Sequence, residues 1–351
     1  MSLFKSAPKS LCILRLSAIG DVCNTIAVVQ SIQSQWPDTK ITWITGKIEA
    51  QLLKAVPDIE VVVFNKNEGH RAYTKLWAQL GDRRFDALLH MQYAIRASIA
   101  TLGIKADYKL GFDKVRSQDF QTLFTNHKVP SPKTMHVLDG LRAFAHEIGV
   151  QDTSAFWKLR YSSDDLAWAQ EQLYPNKRNL VVVPAASKAY KNWTVSGYAQ
   201  LVKHAVNSGW NVILAGSSAQ VEIDLAEELL SAVSVNVLNL VGKSSLLQML
   251  ALLDRADLVI APDTGPTHMA NAMNTPVIGL YAHHNPKRTG PYNYLSYVVS
   301  AYEEAIKAET NVPIEKLDWR TRVKDENAMS RIKAEQVITM FDNVVEDFKL
   351  R

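Results

Sequence analysis

The sequence has little cysteine and no long hydrophobic run. Its 351 residues include only Cys12 and Cys23, too few for a disulfide framework or a cysteine-rich zinc site. Both are expected to be small core residues in a reducing compartment. No apolar run approaches the roughly 18 residues that a transmembrane helix needs, and the run at 11–14 is too short for a signal-peptide core. We therefore expect a cytoplasmic protein.

The excess of charge is also small. Thirty-nine Lys and Arg against 35 Asp and Glu give a formal net charge of +4. That excess is too weak for a duplex-DNA footprint, but it suits an anionic ligand or an anionic membrane face. Hydrophobic residues make up 47% and charged residues 21%, which indicates a globular chain. At about 150 residues per domain, the length predicts two domains or one large one.

Short β-branched runs alternate with helical patterns in two successive blocks. Continuous apolar runs of this kind are typical of parallel strands covered on both faces. The predicted strands are 11–16, 41–45, 61–65, 87–91 and 108–112 in the first block, and 180–183, 211–215, 237–240, 258–261, 276–281 and 297–300 in the second. The predicted helices include 27–35, 137–148, 196–208 and 220–232, with capping boxes expected at Ser217 and Ser245. The alternation predicts an α/β protein of two doubly wound domains.

The domain boundaries follow from composition. We expect a first domain over 1–165, a linker near 164–177 and a second domain over 176–325. Residues 330–351 have the spacing of an amphipathic helix. Doubly wound domains bind ligands at the carboxyl ends of their strands, so the residues that follow each strand are the informative ones.

Asp21 follows the first predicted strand, after a turn at Gly20. An Asp at a helix start is commonly an N-cap, and the spacing by itself favours that interpretation. The alternative is a general base at the mouth of a cleft. The chain lacks the G-x-G-x-x-G pattern here, which disfavours NAD and FAD.

Two loops of the second block could hold an anion. The loop after strand 180–183 carries Ser187 and Lys191, which could contact phosphate oxygens, although a solvated lysine loop is an equally good reading. The segment after strand 258–261 puts a turn and a helix start at the strand end, which is a ready phosphate site. Its candidate residues are Asp263, Thr264, Gly265, Pro266, Thr267 and His268.

Polar residues after the strands of the first block could bind an anionic acceptor, although each alone is more often a solvated surface group. These candidates are Gln92, Arg96, Arg116 and His136. The pair His283-His284 could suggest a metal, but no HExxH pattern or companion carboxylate stands at ligand spacing, so no metal site is expected.

Together these motifs resemble the heptosyltransferases of lipopolysaccharide core biosynthesis, glycosyltransferase family 9. The resemblance covers about residues 11–292. It is carried by Arg15-Leu16-Ser17-Ala18-Ile19-Gly20-Asp21-Val22, by Ala186-Ser187 with Lys191-Asn192-Trp193, by Asp263-Thr264-Gly265-Pro266-Thr267-His268 with Thr275-Pro276-Val277, and by Gly290-Pro291-Tyr292.

The resemblance implies a GT-B fold, with two doubly wound Rossmann-like domains facing a central cleft. The first would bind the acceptor, the second would bind the nucleotide-sugar donor, and helix 330–351 would pack back on the first. It also implies inverting transfer of heptose from ADP-heptose to the Kdo sugars of a lipid A acceptor at the inner face of the inner membrane. Neither a metal nor another cofactor is implied, and no nucleic acid partner is expected.

The resemblance also assigns roles to single residues. Asp21 would be the base that deprotonates the acceptor, and Lys191 would neutralise the leaving diphosphate. Ser187 and the helix start Thr264, Gly265, Pro266 and Thr267 would contact the phosphates, while Asp263 and His268 would contact the donor sugar or organise the turn. Arg96 and Arg116 would meet the anionic acceptor sugars.

Two departures from the family pattern bear on the donor. The loop Ala282-His283-His284-Asn285-Pro286 replaces the family's usual Gly-Pro-Thr/Ser-Asp/Ser-Pro, and Ala186 replaces a hydroxyl residue. One alternative therefore keeps the fold and mechanism but uses another nucleotide sugar. A further alternative is a non-catalytic protein that binds a nucleotide or lipopolysaccharide.

Overall fold

The chain forms two compact units that divide between Arg160 and Tyr161. A computed structural model describes residues 2–350, and each unit in it is a parallel six-stranded sheet with helices. The α/β, doubly wound class expected for a GT-B protein is thereby confirmed. No helix among the described residues has the length and apolar character needed to cross a membrane.

The first unit has the strand order β3-β2-β1-β4-β5-β6. Its central strand is fully buried from Leu11 to Leu14, as a strand covered on both faces must be. The strands are β1 (Ser10–Leu14), β2 (Lys40–Thr45), β3 (Ile59–Val63), β4 (Arg84–His90), β5 (Lys105–Phe112) and β6 (His127–Val129). The α-helices are α1 (Ile19–Gln35), α2 (Glu49–Leu53), α3 (Arg71–Leu80), α4 (Ile95–Ala100) and α5 (Val137–Ile148).

The second unit has the order β12-β11-β10-β7-β8-β9. Its strands are β7 (Asn179–Val182), β8 (Asn211–Leu214), β9 (Leu238–Asn239), β10 (Leu258–Pro262), β11 (Val277–Tyr281) and β12 (Val298–Ser300). Its α-helices are α6 (Ser163–Gln172), α7 (Val195–Asn207), α8 (Gln220–Ala232), α9 (Leu246–Arg255), α10 (Gly265–Ala272), α11 (Pro286–Thr289), α12 (Tyr302–Thr310) and α13 (Ala334–Asp347).

Both sheets reverse their winding at the same place. The first strand of each unit pairs with the second on one side and with the fourth on the other, so the switch lies at β1/β4 and at β7/β10. In an open parallel sheet the ligand crevice lies at the carboxyl ends of the strands at this switch. Residues that follow β1, β4, β7 and β10 are therefore placed to meet ligands.

The expected linker near 164–177 is largely a helix of the second unit. Ser162 caps α6, since its hydroxyl accepts from the Asp165 amide at 3.1 Å. The helix also packs on α9. The polar sequence suggested a linker because α6 lies at the surface, with only Ala169 buried.

The final helix contributes to the core of the second unit. Helix α13 packs on α7 and buries Val337, Phe341 and Val344 in that core. The Phe341 ring lies 5.2 Å from that of Trp210. This core takes up the apolar face of the helix, and the expected packing of the helix on the first domain stays a prediction.

Smaller differences have local causes. Strand β6 was not expected, because His127 and Lys128 interrupt its apolar pattern. Ser245 does cap α9, as predicted. Ser217 does not begin α8, because its hydroxyl and amide both bind the carboxylate of Glu222, at 2.6 and 2.7 Å. Cys12 and Cys23 are buried as predicted, and burial raises the pKa of both thiols.

Candidate active site

The loop after β7 is anchored at its far end by Trp193. This side chain is buried and its indole NH donates to the Ile332 carbonyl at 2.9 Å. A Cβ at Gly197 would lie 2.4 Å from the Trp193 ring, so only glycine allows this approach. Earlier in the loop, the Asn192 side chain accepts from the Ala186 amide at 2.8 Å. Lys191 therefore projects from a fixed backbone.

Lys191 meets Asp263 and His284. Its Nζ lies 2.7 Å from Oδ2 of Asp263, and His284 Nδ1 lies 2.6 Å from the same oxygen. Burial alone would raise the pKa of Asp263, but the hydrogen bond from His284 and the charge of Lys191 outweigh it and hold that pKa well below its usual range. We call Lys191, Asp263 and His284 the cationic cluster, because one carboxylate is shared by two basic groups.

The cluster lies beside the beginning of α10. Thr264 is the N-cap and Pro266 lies in the first turn, so the early amides of the helix have no intrahelical partners. The Thr267 hydroxyl is buried and donates to the Pro262 carbonyl at 2.6 Å. The Thr267 hydroxyl therefore fixes the turn, while the Thr267 amide is one of the amides in the first turn of α10. His268 follows in the same helix and is buried.

His283 and His284 have different surroundings. His283 is 4% exposed, with Nδ1 3.2 Å from the Val323 carbonyl and its ring 4.7 Å from that of Tyr190. His284 has a side chain that is 20% exposed and reaches Asp263. The sequence left both without a role; the structure makes His283 a packed side chain and His284 a member of the cationic cluster.

In the first unit, Asp21 is the third residue of α1, and Ala18 is the N-cap. The interpretation of Asp21 as the N-cap is therefore wrong. Its Oδ2 forms an ion pair with the Arg15 guanidinium and lies 3.4 Å from the Ala18 amide. The Arg15 side chain is buried, whereas that of Asp21 is 38% exposed. A buried guanidinium thus holds an accessible carboxylate at the end of β1.

Gln92 supports this loop rather than pointing away from it. Its Oε1 accepts from the amides of Leu16 and Ser17, at 3.0 and 3.3 Å. The Gln92 carbonyl in turn accepts from Gln121 Nε2 at 2.9 Å. These bonds tie the end of β4 to the segment that carries Asp21.

The other expected acceptor residues divide into two kinds. Arg116 is buried and its guanidinium donates to the carbonyls of Thr134 and His136. His136 is the N-cap of α5, and its Nδ1 accepts from the Leu138 amide at 3.1 Å. Both therefore build the loop before α5. Arg96 is exposed at the start of α4. Contact of any of them with an acceptor stays a prediction.

Ser187 is exposed in the loop after β7, and its contact with phosphate also stays a prediction. A groove of about 870 Å³ borders Arg178, Trp210 and Phe341. These residues lie before β7 and β8 or on α13, so the groove is at the opposite edge of the sheet from Lys191. No group of three His, Cys, Asp or Glu side chains within residues 2–350 could hold a metal ion.

Sequence reasoning missed Arg15 and His284 as partners of the two acidic residues. Arg15 ends a buried apolar run, and a buried charge requires a partner. That signal could have paired it with Asp21. No spacing rule links His284 to Asp263, because they follow neighbouring strands, β11 and β10.

Comparison with known proteins shows the family of the chain. The family model described as glycosyltransferase family 9 (heptosyltransferase) matches residues 73–317. The lipopolysaccharide core heptosyltransferase OpsX of Haemophilus influenzae is 46% identical over 338 residues, which are 96% of this chain and 97% of that protein.

Solved structures show the same fold. The glycosyl transferase family 9 protein of Veillonella parvula has a TM-score of 0.80 at 20% identity, covering 99% of each chain. The Escherichia coli heptosyltransferase WaaC with ADP has a TM-score of 0.72 at 19% identity, covering 95% of this chain and 99% of that one. The family model and the Haemophilus relative together establish the family: the chain belongs to glycosyltransferase family 9, the heptosyltransferases, and is a glycosyltransferase.

Proposed function

We propose that this glycosyltransferase moves heptose from ADP-heptose to the Kdo or inner-core region of lipopolysaccharide, with inversion at the anomeric carbon and without a metal. The observation that carries the proposal is the cationic cluster beside the start of α10, at the strand switch of the second unit. The 46% identity with a lipopolysaccharide core heptosyltransferase supports the choice of substrates.

The donor would be held by the second unit. Early amides of α10 suit the diphosphate, because a helix start carries unpartnered N–H groups and a partial positive charge. Lys191 and the exposed Ser187 hydroxyl would contact the same oxygens. An unpaired Asp263 would repel the diphosphate, and its ion pair with Lys191 and its hydrogen bond with His284 reduce that repulsion. His268 and Asp263 would lie towards the sugar.

The transfer step needs a base for the acceptor hydroxyl. Asp21 would take that proton, and the freed oxygen would attack the anomeric carbon as its bond to the diphosphate breaks. ADP would leave with the bonding electron pair, and Lys191 with the α10 amides would stabilise its negative charge. The ion pair with Arg15 and the hydrogen bond from the Ala18 amide both use Oδ2 of Asp21, so Oδ1 is the oxygen proposed to receive the proton.

The acceptor would be an anionic, lipid-linked sugar at the inner face of the inner membrane. Arg96 is exposed beyond β4 and would meet its carboxylates. Arg116 and His136 would act through the loop that they hold. Gln92 would act in the same indirect way, because it fixes the Asp21 segment.

The test combines nucleotide binding with transfer. We expect ADP to raise the melting temperature, with UDP, GDP, CMP and NAD having little effect. A ligand at about a hundredfold its Kd adds about 2.7 kcal/mol, which moves the melting temperature by several degrees. ADP release from ADP-heptose should then require a Kdo-bearing acceptor.

Other outcomes would redirect the proposal. Selective stabilisation by UDP, followed by transfer from a UDP-sugar, would keep the mechanism and reject ADP-heptose. The loop 282–286, which departs from the family pattern and contributes His284, is the reason to include those nucleotides. If the wild type binds ADP but transfers no sugar, and the Asp21→Asn protein binds ADP equally well, a non-catalytic role would be favoured.

A further inference from the structure

The loop between β5 and β6 of the first unit exposes large apolar side chains. Phe120 is 75% exposed and Leu123 is 78% exposed, and Val115 stands beside the start of the loop at 61%. We call Val115, Phe120 and Leu123 the apolar tip. Neighbouring apolar side chains that are exposed to this degree mark a surface that meets another phase or partner.

The tip is mounted on a fixed backbone. Asp119 and Phe120 have φ values of 50° and 59°, a left-handed conformation that bulky residues rarely adopt. Between Phe120 and Leu123, Gln121 is buried and donates to the carbonyls of His90 and Gln92, at 2.8 and 2.9 Å. The fold therefore holds these apolar side chains outward against a local conformational cost.

The tip stands at the edge of the sheet that carries Asp21. The Gln92 side chain, whose carbonyl binds Gln121, accepts from the amides of Leu16 and Ser17. A short chain of hydrogen bonds thus connects the apolar tip with the segment of the proposed base. Anything that docks on the tip comes close to the end of β1.

Cations flank the tip. Lys114 is exposed within the loop, and Lys133 is exposed in the segment 131–134. That segment lies beside the loop because Ser131 donates to Asp113 from its hydroxyl and its amide, at 2.6 and 3.0 Å. These bonds hold the Asp113 carboxylate inside the loop, and Asp119 is the other acidic residue there. Lys114 and Lys133 are the exposed cations beside the apolar tip.

We propose that the apolar tip inserts into the headgroup layer of an anionic lipid bilayer, with Lys114 and Lys133 on the lipid phosphates. Exposed apolar side chains with lysines beside them suit a bilayer surface, because the apolar groups are buried among the acyl chains and the lysines meet anionic headgroups. The inference rests on the proposed function in one respect: the acceptor is taken to be lipid-linked. It names the surface through which the first unit reaches that acceptor.

The test is sedimentation of the full chain with lipid vesicles. The wild type should pellet with vesicles of phosphatidylcholine and phosphatidylglycerol in equal parts, and less with phosphatidylcholine alone. The double variant Phe120→Asn/Leu123→Ser should bind the vesicles with about a tenth of the wild-type affinity, or with lower affinity still, because two apolar side chains no longer enter the bilayer. Asn tolerates the left-handed φ at position 120, so the fold should be kept, and an unchanged melting temperature checks this.

Further variants test the contribution of the two lysines and the importance of the position of the apolar tip. Lys114→Gln and Lys133→Gln should each weaken binding to the anionic vesicles about fivefold and leave binding to the neutral ones unchanged. Leu102→Ser is the matched control, since Leu102 is 65% exposed but precedes β5, at the other edge of the sheet. It should bind vesicles as the wild type does.

Three results would overturn the proposal: a wild type that stays in the supernatant, a double variant that binds as Leu102→Ser does, or a dimer that the double variant abolishes without any binding to vesicles. A water-soluble acceptor without acyl chains separates this question from the proposed function. The double variant should transfer to it at the wild-type rate. If the wild type fails on that acceptor but binds vesicles, the proposed function fails and the docking surface stands.

Discussion

The two units share one strand order and differ in the charge they place at its switch. In the first, a buried arginine holds a single accessible carboxylate, Asp21. In the second, a lysine and a histidine share a carboxylate that is only 14% exposed, Asp263. An accessible carboxylate can accept a proton from a ligand, whereas a neutralised one leaves its basic partners to face an anion. The same scaffold therefore carries two different arrangements of charge, and the proposed functions rest on the sites rather than on the fold.

Removing the accessible carboxylate should have the largest effect on turnover. We expect Asp21→Asn to lower kcat about 10²- to 10⁴-fold, the usual contribution of a general base. Affinity for ADP should stay within a few-fold, because Asp21 belongs to the other unit. Steady-state kinetics and calorimetry measure the two effects. Asp82→Asn is the control, since Asp82 is an exposed, ion-paired aspartate of the same unit. Unchanged turnover would remove Asp21 as the base.

The substitution Lys191→Met should have the second-largest effect on turnover. It keeps the apolar stem but removes the charge, so it should weaken ADP binding about tenfold and lower kcat about 10²-fold through lost stabilisation of the leaving group. Lys188→Met, three residues earlier in the same loop and exposed, should change neither quantity by more than about twofold. Equal ADP affinity in the Lys191→Met and wild-type proteins would reject the proposed contact with the diphosphate.

His284→Ala should weaken ADP binding by about tenfold or less, because a charge-assisted hydrogen bond contributes roughly 1.5 kcal/mol. If His284 acts through Asp263, the effect should shrink in an Asp263→Asn background, which a double-mutant cycle measures. His204→Ala is the control, because His204 pairs with Asp342 at 2.9 Å elsewhere in the same unit. Additive effects of the two changes would separate His284 from Asp263.

Acid should weaken the two units over different pH ranges. Burial and the Arg15 charge lower the pKa of His90 to about 3, so the folded first unit keeps His90 neutral while the unfolded chain protonates it below about 6.5. The contribution of His90 to the free energy of unfolding is therefore fully present above about pH 6.5. It is lost as the pH falls towards 3, by at most about 1.4 kcal/mol per pH unit. The lowered pKa of Asp263 costs stability only below about 4, the range in which the unfolded chain protonates it.

Melting temperatures between pH 3 and pH 8 test this difference. The variant His90→Gln should flatten the dependence of the first unit between about 6.5 and 3, and Asp263→Asn should flatten only the part below about 4. Parallel curves for His90→Gln and the wild type would show that His90 does not set the acid response.

Much of this molecule could be predicted from its sequence. The continuous apolar strands were predictable because burial on both faces leaves a strong local signal. The helices Val137–Ile148 and Gln220–Ala232 were predictable from their helical spacing of apolar residues. The helix starts were harder. Ser217 and Ser245 have the same local pattern, yet only Ser245 caps a helix, since a buried Glu222 binds Ser217 instead. Competition of that kind depends on tertiary contacts.

The candidate site was predictable in part for the same reason. Asp263 directly follows β10, while Lys191 and Asp21 lie in the connections that leave β7 and β1, so topology brings each to a ligand-binding edge. The shared carboxylate was not predictable, because Lys191, Asp263 and His284 are far apart in sequence and meet only across neighbouring strands. Arg116 and His136 look like ligand-binding residues in the sequence, but they satisfy backbone groups of a loop.

The position of the last helix also affects how the chain is synthesised. Val337, Phe341 and Val344 of this helix belong to the core of the second unit. The hydrogen bond of the Trp193 indole also forms only with the carbonyl of Ile332, 139 residues later in the chain. The first unit closes its own core within the first 160 residues. During translation the first unit can fold while the second is still emerging, and the cationic cluster gains its full support only after α13 has left the ribosome.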